Sequence, residues 1–223
     1  MQTCIPRPAL RHFVESIWAA DDTADSLARP ARREHVLPTG HMHLVLRLAD
    51  DPLRIFDDVR DVTGRVVGTA VVGGARETFY VREASNPICS VGALLRPGAA
   101  EALFGVPAHE LSRRHTPLDD LWGASVESMR DELAALPVER RLDRFEAWLT
   151  ARVEAARAPR LRGLHPAIAQ ALEQLPLRMS VGEVVRRSGC SHRTFISLFR
   201  RWVGLTPKAY CRVRRFHLPV DRD

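Results

Sequence analysis

Short apolar runs of strand length, broken by turn residues, dominate the chain up to about residue 96. Val36-Leu37-Pro38-Thr39-Gly40 predicts a strand meeting a turn, and His43-Leu44-Val45-Leu46-Arg47-Leu48 is an apolar run of strand length. Asp50-Asp51-Pro52 reads as a turn and Leu53 to Phe56 as the next strand. Arg65 to Val72 and Glu77 to Arg82 are β-branched or aromatic runs, with Gly73-Gly74 read as a turn between them. Pro87 precedes Ile88 to Leu95, the last strand of the series. The pattern predicts a small antiparallel β-barrel or sandwich.

From Pro97 the periodicity becomes helical. Pro97 to Phe104 reads as a helix begun by its proline, and Pro107 to Leu111 as a second short turn. Val126 to Leu136 and Glu139 to Ala156 are longer; in the second, Leu142, Phe145, Trp148, Leu149 and Val153 fall at helical spacing. Arg157 to Gly163, rich in Pro, Gly and Arg, reads as a linker. His165-Pro166 opens a helix to Leu175. Ser180-Val181-Gly182-Glu183 is a capping box, in which hydroxyl and carboxylate can satisfy reciprocal backbone amides. Its helix ends at Ser188-Gly189-Cys190, where Gly189 can take positive φ. Ser191 then caps a helix from His192 to about Trp202, with Phe195, Leu198, Phe199 and Trp202 on one face. Two short helices around a glycine turn make a helix-turn-helix. The expected class is α+β: residues 1–157 form one domain, β-rich to about 96 and helical over 97–157. A linker follows at 158–163, and an all-α DNA-binding domain occupies 164–223.

Composition bounds this picture. The chain has 223 residues, 45% of them apolar and 27% charged, ordinary values for a folded protein. No apolar run approaches the ~18–20 residues of a membrane span. The N-terminus carries charge and proline where a signal peptide is apolar, so a cytoplasmic protein without a membrane partner is expected. Cys4, Cys89, Cys190 and Cys211 form no C-x-x-C pair and read as small core residues.

Charge changes the picture more. The net charge of +6 is unevenly spread: residues 160–217 hold twelve basic and two acidic residues, net +10, whereas 1–159 hold twenty basic and twenty-three acidic, net −3. A basic terminal quarter on an acidic body points to a polyanion. In a helix-turn-helix the second helix enters the DNA major groove by its N-terminal side chains. Arg193 can hydrogen-bond twice to guanine, Ile196 offers an apolar surface to a thymine methyl, and Ser197 reaches a base edge or a phosphate. Arg200 and Arg201 suit the DNA backbone.

The run from Gly182 to Tyr210 carries S-x-R-x-Φ-x-x-Φ-F-R followed by Val203-Gly204-Leu205-Thr206-Pro207-Lys208, and it resembles the AraC family of bacterial transcription regulators. The body is similar to a sensor-like domain of uncharacterised function in one branch of that family, through Leu37-Pro38-Thr39-Gly40, Val91-Gly92, Arg96-Pro97-Gly98 and Pro117 to Gly123, which implies a sensor or dimerisation-like role for residues 1–157. The resemblance implies a sequence-specific regulator. Arg193, Ile196 and Ser197 would face bases, and Ser191, His192, Arg200, Arg201 and Lys208 would serve phosphates. Double-stranded DNA is the expected partner, with a small-molecule effector, a second copy of the chain and, for an activator, RNA polymerase. Family members usually carry two helix-turn-helix units; here the helix from Pro207 to Phe216 meets Pro219, so a chain truncated after the first unit is expected.

The rival reading is a small-molecule-binding or metal-dependent β-barrel whose tail does not function alone. His41-x-His43, with His35 nearby, supplies its candidate ligands, because alternate strand residues share a face. Asp57-Asp58 and Asp119-Asp120 are adjacent pairs that diverge, and no G-x-S-x-G, P-loop or dinucleotide fingerprint occurs. The expectation is therefore no catalytic residue, no cofactor and no metal. Asp119 to Gly123 reads as a packing motif between the two parts, with Trp122 buried.

Overall fold

Leu44 and Leu46 point to one side of their strand and His43, Val45 and Arg47 to the other, yet all are at least half-buried. A strand covered on both faces reads as a continuous apolar run, and this one lies at the middle of the molecule. The computed structural model describes residues 2–21, 32–58, 60–84, 89–155, 164–175 and 179–217. Its strands are β1 (Gln2–Cys4), β2 (Val14–Asp21), β3 (Arg32–Val36), β4 (Met42–Arg47), β5 (Leu53–Phe56), β6 (Arg65–Gly68), β7 (Ala70–Gly73), β8 (Tyr80–Ala84), β9 (Cys89–Leu95) and β10 (His115–Pro117).

Two antiparallel sheets result, one ordered β1-β2-β9-β4-β7-β10 and the other β3-β8-β5-β6. They do not close into a barrel, which corrects that half of the barrel-or-sandwich expectation. The run Arg65 to Val72 is divided between the sheets: Gly68 takes φ +142°, a conformation that favours glycine, and the chain crosses from β6 in one sheet to β7 in the other. Gly73-Gly74 is not a turn. Gly73 ends β7 and pairs with His43 on one side and His115 on the other.

The outer face of the six-stranded sheet, with Val14, Ile17, Leu44, Leu46, Val72, Val91 and Ala93, packs into the main core with the helices. Its other face meets the smaller sheet over a second cluster of Leu53, Ile55, Val67, Val71 and Tyr80, with Val36 packed against it. The helices are α1 (Ala108–Leu111), α2 (Asp119–Trp122), α3 (Ser125–Ala135), α4 (Val138–Ala155), α5 (Pro166–Gln174), α6 (Val181–Ser188), α7 (His192–Val203) and α8 (Pro207–His217). The helix expected from Pro97 is a short π-helical segment over Ala100–Phe104, because Gly98 at φ +94° turns the chain first.

Phe145, Leu149 and Val153 bury on the inner face of α4, as their spacing predicts. Two charges join them there. Arg141 donates to the carbonyls of Leu133 and Leu136 at 3.1 and 3.0 Å, closing the end of α3, and to Asp21 on β2 at 2.6 Å. Glu146 accepts from the backbone N–H of Arg7 and pairs with its guanidinium at 3.4 Å. Trp122 packs within the N-terminal part rather than between the two parts. Its Nε1 donates to the Leu103 carbonyl at 2.8 Å, its ring lies edge-on to Trp148 at 4.7 Å, and it is only half-buried. The expected linker at 158–163 lies outside the described residues, as does Pro219. No described helix is long and apolar enough to cross a membrane.

Candidate functional sites: the terminal helices and the cavity between the sheets

Local chemistry starts and stops each terminal helix. His165 Nδ1 accepts from the Ala167 N–H at 3.2 Å, with Pro166 in the first turn of α5. Ser180 Oγ accepts from the Glu183 N–H at 3.2 Å to open α6. Glu183 does not complete the box: its carboxylate takes a bond from Arg187, one turn on, at 3.2 Å. Gly189, at φ +68°, ends α6, and Ser191 Oγ accepts from the Thr194 N–H at 3.2 Å to begin α7.

Phe195, Phe199 and Val203 are buried on α7, with Phe199 edge-on to Tyr210 of α8 at 5.6 Å. The opposite face carries the residues expected at bases: Arg193 and Ser197 are exposed and Ile196 is half-buried. Ser191, His192, Arg200 and Lys208 are exposed as well. Arg201 is placed differently. Its guanidinium pairs at 2.5 Å with Glu101 of the π-helical segment, which the expected phosphate role did not foresee.

The second site is a cavity of about 330 Å³ between the sheets. Antiparallel register builds its floor. Trp18 stands opposite Gly92, and His43 opposite Gly73. A Cβ on either glycine would run into the ring across from it, so both strands need glycine for those rings to lie flat. Because His115 also pairs with Gly73, the His43 and His115 rings lean over that glycine and approach to 6.1 Å. Tyr80, from the smaller sheet, meets His115 edge-on at 4.5 Å.

Arg76 reaches the same cluster. Its guanidinium lies 4.2 Å from the centre of the Tyr80 ring and donates to His115 Nδ1 at 3.0 Å. A guanidinium only donates, so His115 Nδ1 is the acceptor and Nε2 carries the proton. That Nε2 is buried without a partner, as is Arg76 Nε. Burial first, then Arg76 and Arg82, holds His43 down at about 4; burial, then Arg76 and His43, takes His115 down to about 2. Both rings are neutral at pH 7.

The other histidines are elsewhere. His41 lies between Glu15 at 3.8 Å and Arg214, which donates to its Nε2 at 3.0 Å; His35 packs on Phe79. His35, His41 and His43 thus occupy three separate environments. Among the described residues no group of three or more His, Cys, Asp and Glu is placed to hold a metal.

The family model for the domain of unknown function DUF6597 matches residues 2–117, just over half of the chain. The chain belongs to the DUF6597 family. Neither the curated proteins nor the solved structures provide a match.

The DUF6597 segment does more than enclose the cavity; it also carries the terminal helices. Gly204 ends α7 at φ +89°, and its carbonyl accepts from Ser112 Oγ at 2.6 Å. Gly98 N–H donates to the Trp202 carbonyl at 3.0 Å. A Cβ on Gly40 would lie 3.4 Å from Val213 of α8, and His217 donates to the Pro38 carbonyl at 2.6 Å. Leu37-Pro38-Thr39-Gly40 and Arg96-Pro97-Gly98, conspicuous in the sequence, are thus docking points for α7 and α8. One stretch, Ala75 to Glu77, joins the dock to the His115 cluster. Ala75 is buried near Gly204, Arg76 points to His115, and Glu77 pairs with Arg212 of α8 at 2.6 Å and with Arg113.

Proposed function

We propose that this DUF6597 protein is a sequence-specific DNA-binding transcription regulator, in which α7 reads the major groove and the β-rich segment binds a small effector. The observation that carries the reading is the outer face of α7. Arg193 and Arg200 are exposed and, among the described residues, paired with no carboxylate, while the face behind them is anchored by two fully buried phenylalanines. Such a helix presents its N-terminal side chains rigidly, as base readout needs. Arg193, Ile196 and Ser197 contact bases in this reading; Ser191, His192, Arg200 and Lys208 contact phosphates. Arg201 joins them only on release from Glu101.

The AraC-like residues from Gly182 to Tyr210 support the same reading, as does the net charge of +10 over residues 160–217. A cytoplasmic location, a homodimer and contact with RNA polymerase belong to the proposal. The rival, a ligand-binding β protein with an inactive tail, is favoured by the cavity alone. Gel-shift titration of the gene's own upstream region at two salt concentrations separates them. The regulator binds one sequence over scrambled DNA, and Arg193→Ala lowers that preference by about 1–3 kcal/mol. Equal binding of both DNAs by wild type and variant would falsify the reading.

A further inference from the structure

The cavity between the sheets carries an inference about what it binds. Strand register arranges its floor in two rows. In one, Trp18 lies over Gly92 beside Val45 and Val71, a flat apolar strip across successive strands. In the next, about 7 Å along the strands, His43 and His115 lean together over Gly73. The volume of about 330 Å³ suits a molecule of one ring, with an apolar body and few polar groups.

The charges on the cavity wall are already matched. Glu34 Oε1 accepts from Arg82 Nε at 2.7 Å, and Arg47 is paired with Asp51. A charged ligand would be buried there against no free counter-charge, which is costly. The unmatched polar groups are neutral ones. His115 is 5% exposed; Arg76, from outside the lining, occupies its Nδ1, and its Nε2–H has no acceptor. His43 makes no hydrogen bond among the described residues and, being neutral, offers one acceptor nitrogen. The two ring centres are 6.1 Å apart. One oxygen hydrogen-bonded to both rings at ~2.8 Å, with a bent angle at the oxygen, holds such centres about 6 Å apart. A hydroxyl accepts from the first ring and donates to the second. A carboxylate or an ether cannot donate, and an ammonium cannot accept.

We infer that the cavity binds a small uncharged phenol, whose hydroxyl bridges His115 Nε2–H and His43 and whose ring lies along Trp18, Val45 and Val71. The spacing between the two rows is one ring's length, so hydroxyl and ring are seated together. Water alone would answer the histidines and leave the apolar row unfilled. This deepens the effector half of the regulator reading and rests on it for its biological use. His115 gives it a consequence. Arg76, which holds its Nδ1, is flanked by Ala75 and Glu77, which meet the end of α7 and α8.

The test is calorimetric titration of the full chain with phenol and para-cresol, against anisole, toluene, benzoate and benzylamine. One of the two phenols binds with a Kd of about 1 mM or tighter, about tenfold below anisole and toluene, and the charged compounds do not bind. His43→Leu and His115→Phe each weaken that phenol about tenfold, and His43→Gln, which keeps an acceptor, recovers part of the loss. Should the variants fail to fold, the ratio of phenol to anisole in the wild type carries the test, read beside the His43 and His115 ring resonances, which shift on phenol titration. Binding of neither phenol, equal binding of phenol and anisole, binding of benzoate or benzylamine, or an unchanged Kd in folded His43→Leu overturns the assignment. Gel shifts on the same preparations without ligand keep the two readings apart. Absent phenol binding with intact DNA binding removes only the ligand class; phenol binding without sequence-specific DNA binding keeps the cavity and removes the regulator.

Discussion

Glu77 and Arg212 are 135 residues apart in the chain and meet at 2.6 Å, joining the segment between β7 and β8 to α8. Glu77 is mostly buried at 16% side-chain exposure, but Arg212 is 63% exposed, so the pair is a positional contact more than a source of stability. Glu77→Gln is expected to change unfolding free energy by less than about 1 kcal/mol. Amide exchange across Pro207–His217 should nevertheless quicken, as α8 loosens from the body. Unchanged exchange in α8 would show that the pair does not hold the helix.

Gly204 tests the dock from the other side. Its φ of +89° and the 2.7 Å that a Cβ would leave to Ser112 Oγ make Gly204→Ala costly, by about 1–3 kcal/mol. Thermal unfolding reads this directly. Gly189→Ala is the comparison, because it shares positive φ at +68° but would meet nothing within 4 Å. The larger loss belongs to Gly204.

Phe199 is fully buried between α7 and α8, and Phe199→Ala should cost about 3–5 kcal/mol in denaturant titration. Far-ultraviolet dichroism of the folded variant should also show lost helix, since α7 has no other fully buried ring besides Phe195.

The buried histidines set a pH dependence with a definite sign. The unfolded chain protonates His43 near 6.5, the folded chain only near 4, so over that window the unfolded state binds more protons. Stability is therefore fully present above pH 6.5 and falls as the pH drops towards 4, by about 3 kcal/mol from this residue. His115, lowered further, adds in the same direction. Urea midpoints at pH 7 and 4.5 check it, with His43→Leu expected to show the smaller difference.

Much of the terminal half is legible in the chain. Ser180, Gly189, Ser191 and Gly204 mark helix ends by side-chain chemistry that acts within a few residues, and Phe195 and Phe199 mark the inner face by spacing alone. The β half is less open to reading. β2 escapes notice because its register shifts between Val14 and Ser16, which breaks the alternation of Val14 with Ile17 and Ala19. β10 is three residues ending in proline, an edge strand with no pattern of its own. His115 and Arg76 were missed with it. Nothing local distinguishes them, since their meaning comes from pairing with Gly73 and from Tyr80 on another sheet.

By itself, then, the sequence determined the order of β and helical regions, the terminal caps, the inner face of α7 and the concentration of positive charge, all set by interactions between near neighbours. The tertiary structure alone decided that the sheets stay open, that His43 and His115 share a cavity with Arg76 donating to His115, and that Arg201 turns to Glu101. It alone made Pro38, Gly40, Gly98 and Glu77 the seat of the terminal helices. These depend on strand register and packing between segments far apart in the chain, where a one-residue slip would send every side chain to the opposite face.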